Sequence, residues 1–337
     1  MALQFLKEDI EALRKEYSDD LLSDALDELT DSLLRGDSFI VKGYARANGA
    51  FSYALLKSDD EDGEIAVGIY TSEAEAGMAV YSEGSAEERE VIFSEILLRA
   101  LFDHKVDTVV IDPFSAQFVL DRTVLWGLFY RLPEENRSDL FKRRMLTKAI
   151  KFAADMHEFQ TRKGTGEPYI THPMEVMSIM NSDEVFRGNF ELMIAGVLHD
   201  TVEDTAADID TVRSVFGPRV AELVSFHTED KSLSWDERKL HTIESLADAD
   251  LSKKMLIACD LLANERSMLR DRRGSGEALW TRFKAPKEKI GWYHGELQAR
   301  LTELSEYAET ESIYRELRSC YEKLFVECFD DKEGGTL

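Results

Sequence analysis

Val197-Leu-His-Asp-Thr-Val-Glu-Asp204 is the segment that decides the reading of this chain. It closes an apolar helical face with two adjacent residues of metal-ligand type, His199 and Asp200. On a helix, residues four apart are neighbours, so His199 lies one turn from Glu203 and Asp200 one turn from Asp204. Two neighbouring stripes then each carry a ligand-type residue with a carboxylate a turn away. A buried helix does not hold four such groups uncompensated, because unpaired buried charge is expensive. A divalent cation supplies the compensation and leaves the second carboxylate pair at its open side.

Further segments supply the missing donors. Ile170-Thr-His-Pro173 places His172 just ahead of a proline suited to the first turn of a helix. Ile257-Ala-Cys-Asp-Leu-Leu-Ala-Asn264 places Asp260 in an otherwise apolar helix, and Glu158-Phe-Gln-Thr-Arg-Lys163 leads into a Gly-rich loop that Tyr169 ends. Singly, each has an ordinary reading: a solvent-facing His-Asp pair, a helix-start histidine, an exposed helical aspartate. Taken together and in this order they make a ligand set. Two imidazoles with two carboxylates suit a borderline cation such as Mn²⁺ or Fe²⁺, and Zn²⁺ fits the same donors. Such a site makes a hydroxide-like nucleophile by lowering the pKa of bound water.

The 337 residues are enough for two domains. With 44% hydrophobic and 32% charged residues, the composition is that of a soluble globular protein. Net charge is −25, and residues 1–140 carry 13 Lys and Arg against 30 Asp and Glu, a net of −17. Such acidity argues against bulk nucleic acid and anionic membrane as partners, because that affinity comes from basic side chains neutralising phosphates. Cys259, Cys320 and Cys328 form no CxxC pair. The N-terminus lacks the apolar run of a secretory signal, and no stretch approaches the ~18 apolar residues of a spanning helix. A cytoplasmic protein with reduced thiols is the expectation.

The first third reads as mixed α and β. Leu3, Leu6, Ile10, Leu13, Tyr17 and Leu21 recur at helical steps. Strand-like runs follow at Ser38–Lys42, Phe51–Leu56, Ile65–Tyr70 and Thr108–Ile111, with a hairpin turn expected over Ser58–Gly63. Ser72…Glu75 and Ser85…Glu88 have the capping-box spacing of helix starts. The polar, proline-bearing stretch 131–141 reads as the linker between an α+β domain over 1–135 and an all-α domain over 142–330. Beyond it strand signals nearly vanish, and about nine or ten helices are expected.

Residues 147–270 resemble the hydrolase domain of the RelA/SpoT homologue family, which degrades the alarmones ppGpp and pppGpp. The motifs that carry the resemblance are His157-Glu-x-Gln-x-Arg-Lys163, Gly166-Glu-Pro-Tyr-Ile-x-His-Pro173, Ala195-Gly-Val-Leu-His-Asp-Thr-Val-Glu-Asp-Thr205, Phe216-Gly217 and Asp260…Asn264. The resemblance implies an HD-type metal-dependent phosphohydrolase fold with Mn²⁺ on His172, His199, Asp200 and Asp260. It implies Glu203 and Asp204 as catalytic carboxylates, Arg162 and Lys163 as nucleotide contacts, and Asn264 beside the nucleoside. The expected reaction is hydrolysis of the 3′-pyrophosphate to GDP or GTP and pyrophosphate. With about 65 residues after Asp271, a monofunctional hydrolase without a synthetase domain is expected.

Two positions depart from the family pattern. Leu261 and Ala263 stand where the family carries Arg and His, which keeps the ligand but unsettles the guanine and phosphate contacts. Alternatives are therefore an HD hydrolase of another nucleotide, such as an adenosine alarmone or NADPH, and a non-catalytic alarmone-binding or toxin-neutralising module. The basic residues of 270–273 and 282–289 read more simply as salt-bridged helix faces than as a phosphate funnel. His104, His227, His241 and His294 fit no ligand spacing and read as structural or exposed.

The first domain resembles the SseB-like fold through Ile65-Ala-Val-Gly-Ile-Tyr-Thr-Ser-Glu-Ala and Asp107-Thr-Val-Val-Ile-Asp-Pro113, with Asp112 in place of that family's Asn. It shows no catalytic constellation. Its acidity suits a protein-partner surface or a solubilising role, which the residues leave open.

Overall fold

The computed structural model describes residues 2–46, 50–57, 64–79, 86–103, 105–134, 137, 139–182, 188–307 and 310–327. The chain divides into two compact units, Met1–Lys142 and Arg143–Leu337. The first unit thus ends later than the expected 135. The cause is Phe141, whose ring packs 5.2 Å from Phe129 and 6.4 Å from Trp126, so the polar stretch is anchored rather than free.

The first unit opens with α1 (Ala2–Lys15) and α2 (Asp19–Arg35). The apolar repeat over 3–21 is therefore two helices. Ser18, in extended backbone, caps α2 by accepting from Leu21 N at 3.2 Å, and Asp19 and Asp20 occupy the positive first turn.

Among the described residues, seven strands form one sheet: β1 (Ser38–Ala45), β2 (Phe51–Tyr53), β3 (Leu55–Lys57), β4 (Ile65–Tyr70), β5 (Glu87–Ile92), β6 (Thr108–Ile111) and β7 (Phe118–Asp121). The spatial order is β2-β1-β4-β6-β7, with β3 paired to β4 and β5 to β1. β4 and β6 run parallel, Val67 opposite Val109, and the other pairs are antiparallel. Phe39 and Val41 alternate inward along β1 with period two, and Phe39 meets Phe93 at 5.0 Å.

Helices α3 (Glu73–Gly77), α4 (Phe93–Phe102) and α5 (Arg122–Arg131) complete this unit. The helix start read at Ser72…Glu75 is present, with the Ser72 side chain accepting from Glu75 N at 3.3 Å. The one read at Ser85…Glu88 is not: Glu87–Ile92 is strand, and the helix begins at Phe93. The run over 51–56 is likewise broken at Ala54 into β2 and β3. The hairpin turn expected over 58–63, and His104 and Cys328, lie outside the described residues.

The helical part comprises α6 (Asp139–Met156), α7 (Thr171–Ser182), α8 (Phe190–Leu198), α9 (Thr201–Asp204), α10 (Ile209–Phe216), α11 (Pro218–His227), α12 (Trp235–Ser245), α13 (Leu251–Ser275), α14 (Lys287–Arg300) and α15 (Glu311–Tyr321). Every residue of α8 from Leu192 to Leu198 is buried. α13 buries Leu256, Ala258, Cys259, Leu262 and Ala263, and it packs on α7, α8, α11 and α15. Helices apolar on most sides belong in an interior. These two therefore form the centre of the unit and carry the polar site at their ends and middle. Among the described residues, no helix is long and apolar enough to cross a membrane.

Candidate functional site

The chain after α8 is pinned by its own backbone. His199 Nδ1 lies 2.8 Å from Gly196 O, so this nitrogen donates and Nε2 is turned to the interior. His172 enters in the first turn of α7, and both imidazoles are buried, at 3% and 0% exposure. Asp260 comes from the middle of α13. Its Oδ1 is 3.0 Å from His172 Nε2 and 3.6 Å from His199 Nε2. Asp200 Oδ2 is 2.9 Å from His199 Nε2 and 3.7 Å from His172 Nε2. The donor atoms of His172, His199 and Asp260 lie within 4.8 Å of one another, a group able to hold a metal ion.

The donor set fits a divalent cation. His199 Nε2 is buried and has no partner in hydrogen-bonding geometry, although a carboxylate oxygen lies 2.9 Å away. With Nδ1–H committed to Gly196, a bare Nε2 would set its lone pair against two carboxylates. A positive charge belongs between them. Burial opposes a charged imidazole at His199, but Asp200 and Asp260 override it and raise the pKa well above the ordinary value. Burial likewise works against the Asp200 carboxylate, and the facing His199 pulls it below its usual range instead.

Outer contacts orient the candidate ligands. Tyr169 donates its hydroxyl to Asp200 Oδ2 at 2.6 Å, and Asn264, one turn along α13, donates Nδ2 to Asp260 Oδ1 at 2.8 Å. His157 supports the neighbouring loop: its Nδ1 is 2.8 Å from Gln160 Oε1, and Gln160 in turn donates to Asp204 O at 2.6 Å.

The two catalytic candidates have different surroundings. Glu203 is mostly buried and accepts from Glu229 N at 3.2 Å. Its carboxyl is raised by burial first and then by Glu229, Asp200 and Asp204. Asp204 is more exposed and paired to Lys231 Nζ at 2.5 Å. Both line a cavity of about 490 Å³ with Asp200, Asp260, Arg162 and Lys163. Arg162 reaches across to Asn264 Oδ1 at 3.4 Å and lies 5.8 Å from the Tyr169 ring centre. Leu261 lines the same cavity, whereas Ala263 is fully buried elsewhere in the helix packing.

Of the C-terminal basic residues, Arg282 borders the cavity while held by Asp271 at 3.0 Å. Arg270 pairs with Glu175, Lys287 with Glu277, and Lys289 with Asp236. His227, which the sequence reads as structural or exposed, also lines the cavity, with Nε2 3.3 Å from Asp260 Oδ2. No ligand-type spacing within the sequence marks it; its one signal is a polar residue ending an apolar helix.

Gly164 shows how tightly the loop is built. Its φ is +101°, and a Cβ there would collide with the Arg282 guanidinium. Gly164→Ala is expected to cost on the order of 1–3 kcal/mol of local backbone strain. Because the loop carries Lys163 and Arg162, steady-state kinetics should show a raised KM with kcat and metal content unchanged. An unchanged KM would show that this loop does not meet the substrate.

The second unit is similar to proteins already known. A family model of the HD domain matches residues 149–263. Guanosine-3′,5′-bis(diphosphate) 3′-pyrophosphohydrolase MESH1 of Danio rerio is 36% identical over 127 residues, 37% of this chain and 70% of its own. MESH1 of Homo sapiens is 38% identical over 126 residues, 37% of this chain and 70% of its own. The bifunctional (p)ppGpp synthase/hydrolase SpoT of Escherichia coli K12 is 38% identical over 127 residues, 38% of this chain and 16% of SpoT. A solved structure of a metazoan orthologue of SpoT that hydrolyses ppGpp matches 53% of this chain and 94% of its own, at 26% identity and a TM-score of 0.45.

The helical unit is thus an HD domain, a class built around a divalent metal, and His172, His199 and Asp260 are placed to hold one. The chain belongs to the MESH1 family of HD-domain proteins.

Proposed function

We propose that this protein hydrolyses the 3′-pyrophosphate of ppGpp and pppGpp, giving GDP or GTP and pyrophosphate, with Mn²⁺ as its cation. One observation carries the reading: a single cavity joins Asp200 and Asp260, the Glu203–Asp204 carboxylates and the basic pair Arg162–Lys163. The names of the MESH1 relatives support the same substrate.

His172, His199, Asp200 and Asp260 are the residues that would hold the cation, which when bound lowers the pKa of a water and polarises a phosphoryl oxygen. Glu203 is placed to accept the proton of a water that attacks the phosphorus nearest the ribose. The bond from that phosphorus to the 3′-oxygen breaks, and the 3′-oxygen leaves and takes up a proton from solvent, to which Glu203 returns the one it accepted. Asp204, tied to Lys231, fixes the approach of the water. Arg162 and Lys163 hold the nucleotide by stacking and charge. Asn264 links Arg162 to the ligand Asp260 and so couples nucleotide to metal centre.

A second reading rests on Leu261, which gives the cavity an apolar wall where the family pattern has a basic residue. It favours the same chemistry on another nucleotide, an adenosine alarmone or NADPH. For the first unit we retain the SseB-like resemblance and a partner-binding role in the cytoplasm. Its two motif segments meet in the sheet, where Asp112 accepts from Thr71 N at 2.9 Å and from Thr71 Oγ1 at 2.6 Å.

The test is incubation of the full chain with ppGpp and Mn²⁺, with a chelator control, following GDP and pyrophosphate. Metal-dependent release of both products is expected. Metal bound without turnover of ppGpp, but with turnover of another nucleotide in a panel, would move the assignment to the second reading. Neither metal nor turnover would overturn both in favour of a binding module.

A further inference from the structure

We propose that His227 is a positioning residue of the metal centre, holding Asp260 by the oxygen that the two ligand imidazoles do not face; this rests on the metal-site reading above. Asp260 has two oxygens with different neighbours. Oδ1 faces His172 and His199 and accepts from Asn264, while Oδ2 lies 3.3 Å from His227 Nε2. His227 ends α11, and α11 packs on both α8 and α13, the helices that deliver His199 and Asp260. The ring sits edge-on to His199, with centroids 4.7 Å apart, so it also closes one flank of that ligand.

The nitrogen that carries the proton follows from the partners. Nε2 has an acceptor in Asp260, whereas Nδ1 is buried with no partner. Nε2–H therefore donates to Asp260 Oδ2. A carboxylate fixed through one oxygen cannot rotate freely, and the other oxygen stays aimed at the ion. Outer partners of this kind typically change metal affinity by about 10–100-fold when removed. A role as an additional ligand fits less well, because Nε2 faces Asp260 Oδ2 and not Oδ1, the oxygen that meets both imidazoles.

The experiment uses the metal-stripped full chain, titrated with Mn²⁺ against a fluorescent chelator, and the Co²⁺-loaded protein read by its visible absorption. His227→Leu is expected to weaken Mn²⁺ binding by about 10–100-fold. His227→Gln, whose side-chain amide can still donate to Oδ2, should recover most of that loss with an unchanged Co²⁺ band shape. Circular dichroism of each metal-free variant confirms that the fold is kept, and the Gln variant carries the test if the Leu variant fails to fold. Wild-type affinity in His227→Leu would overturn the proposal. So would a Gln variant as weak as Leu with an altered Co²⁺ spectrum, which is the signature of a lost ligand. A wild-type protein that binds neither ion would instead bring down the metal-site reading itself.

Discussion

Asp260→Ala is expected to leave the protein folded but without its metal, with kcat/KM lower by on the order of 10³ or more, because a nucleophile at neutral pH depends on the cation. Asp260 Oδ1 is the oxygen that faces both imidazoles, 3.0 Å from His172 Nε2 and 3.6 Å from His199 Nε2. No neighbouring carboxylate can replace it, since Asp200 already occupies the other side of His199. The fold should survive because the interior of α13 rests on Leu256, Cys259, Leu262 and Ala263, which are fully buried and apolar. The same substitution removes one of the two carboxylates, Asp200 and Asp260, that hold a proton on His199. A cation must displace that proton, so wild-type metal uptake should release protons and weaken as pH falls, and Asp260→Ala should show neither effect. Elemental analysis with calorimetry in buffers of different ionisation enthalpy checks both points. Stoichiometric metal together with wild-type turnover in Asp260→Ala would sink the ligand assignment.

How far the sequence is legible depends on how local the physics is. The HD segment could be read because its constraint lies within eight residues: an apolar helix running into His199, Asp200, Glu203 and Asp204 leaves few readings that do not bury charge. The centre of the helical unit is legible for the same reason, since Leu192–Leu198 is apolar throughout and Leu256–Ala263 is apolar apart from Asp260. Elements set by contacts distant in sequence were harder to see. Glu87–Ile92 carries four charged residues in a row and little alternation, so nothing in it announces a strand; it is one because Ser38–Gly43 supplies a partner edge along its whole length. The break between α1 and α2 is hidden by an apolar spacing that continues across it, and it is imposed by the Ser18 cap. Phe141 shows the same limit at the boundary, as the stretch before it is largely polar and its packing on Phe129 and Trp126 is what fixes it. His227 is the most telling case. It reaches the site through the packing of α11 on α13, across 33 residues of chain, and no spacing rule joins it to Asp260.

Glu203→Gln is the substitution expected to separate chemistry from binding most cleanly. It should lower kcat by about 10²–10⁴, the usual contribution of a positioned proton acceptor, while metal content and KM stay near wild type. The reason lies in the asymmetry of the two carboxylates. Burial, followed by the nearby Glu229, Asp200 and Asp204, raises the Glu203 carboxyl above the ordinary range and makes it the stronger base. Asp204 faces solvent more openly and spends its charge on Lys231. Glutamine keeps the length and can still accept from Glu229 N, so the loop that Glu203 anchors is preserved. Asp204→Asn should therefore cost less in kcat than Glu203→Gln. The pH profile adds a readout that a merely structural role would not move. A base must be deprotonated to act, so wild-type kcat should fall on the acid side at a pH above that of an unperturbed carboxylate. That limb should be absent in Glu203→Gln. Equal losses in the two variants with the acid limb intact in both would instead place the proton acceptor elsewhere in the cavity and reduce Glu203 to an anchor for the backbone at Glu229.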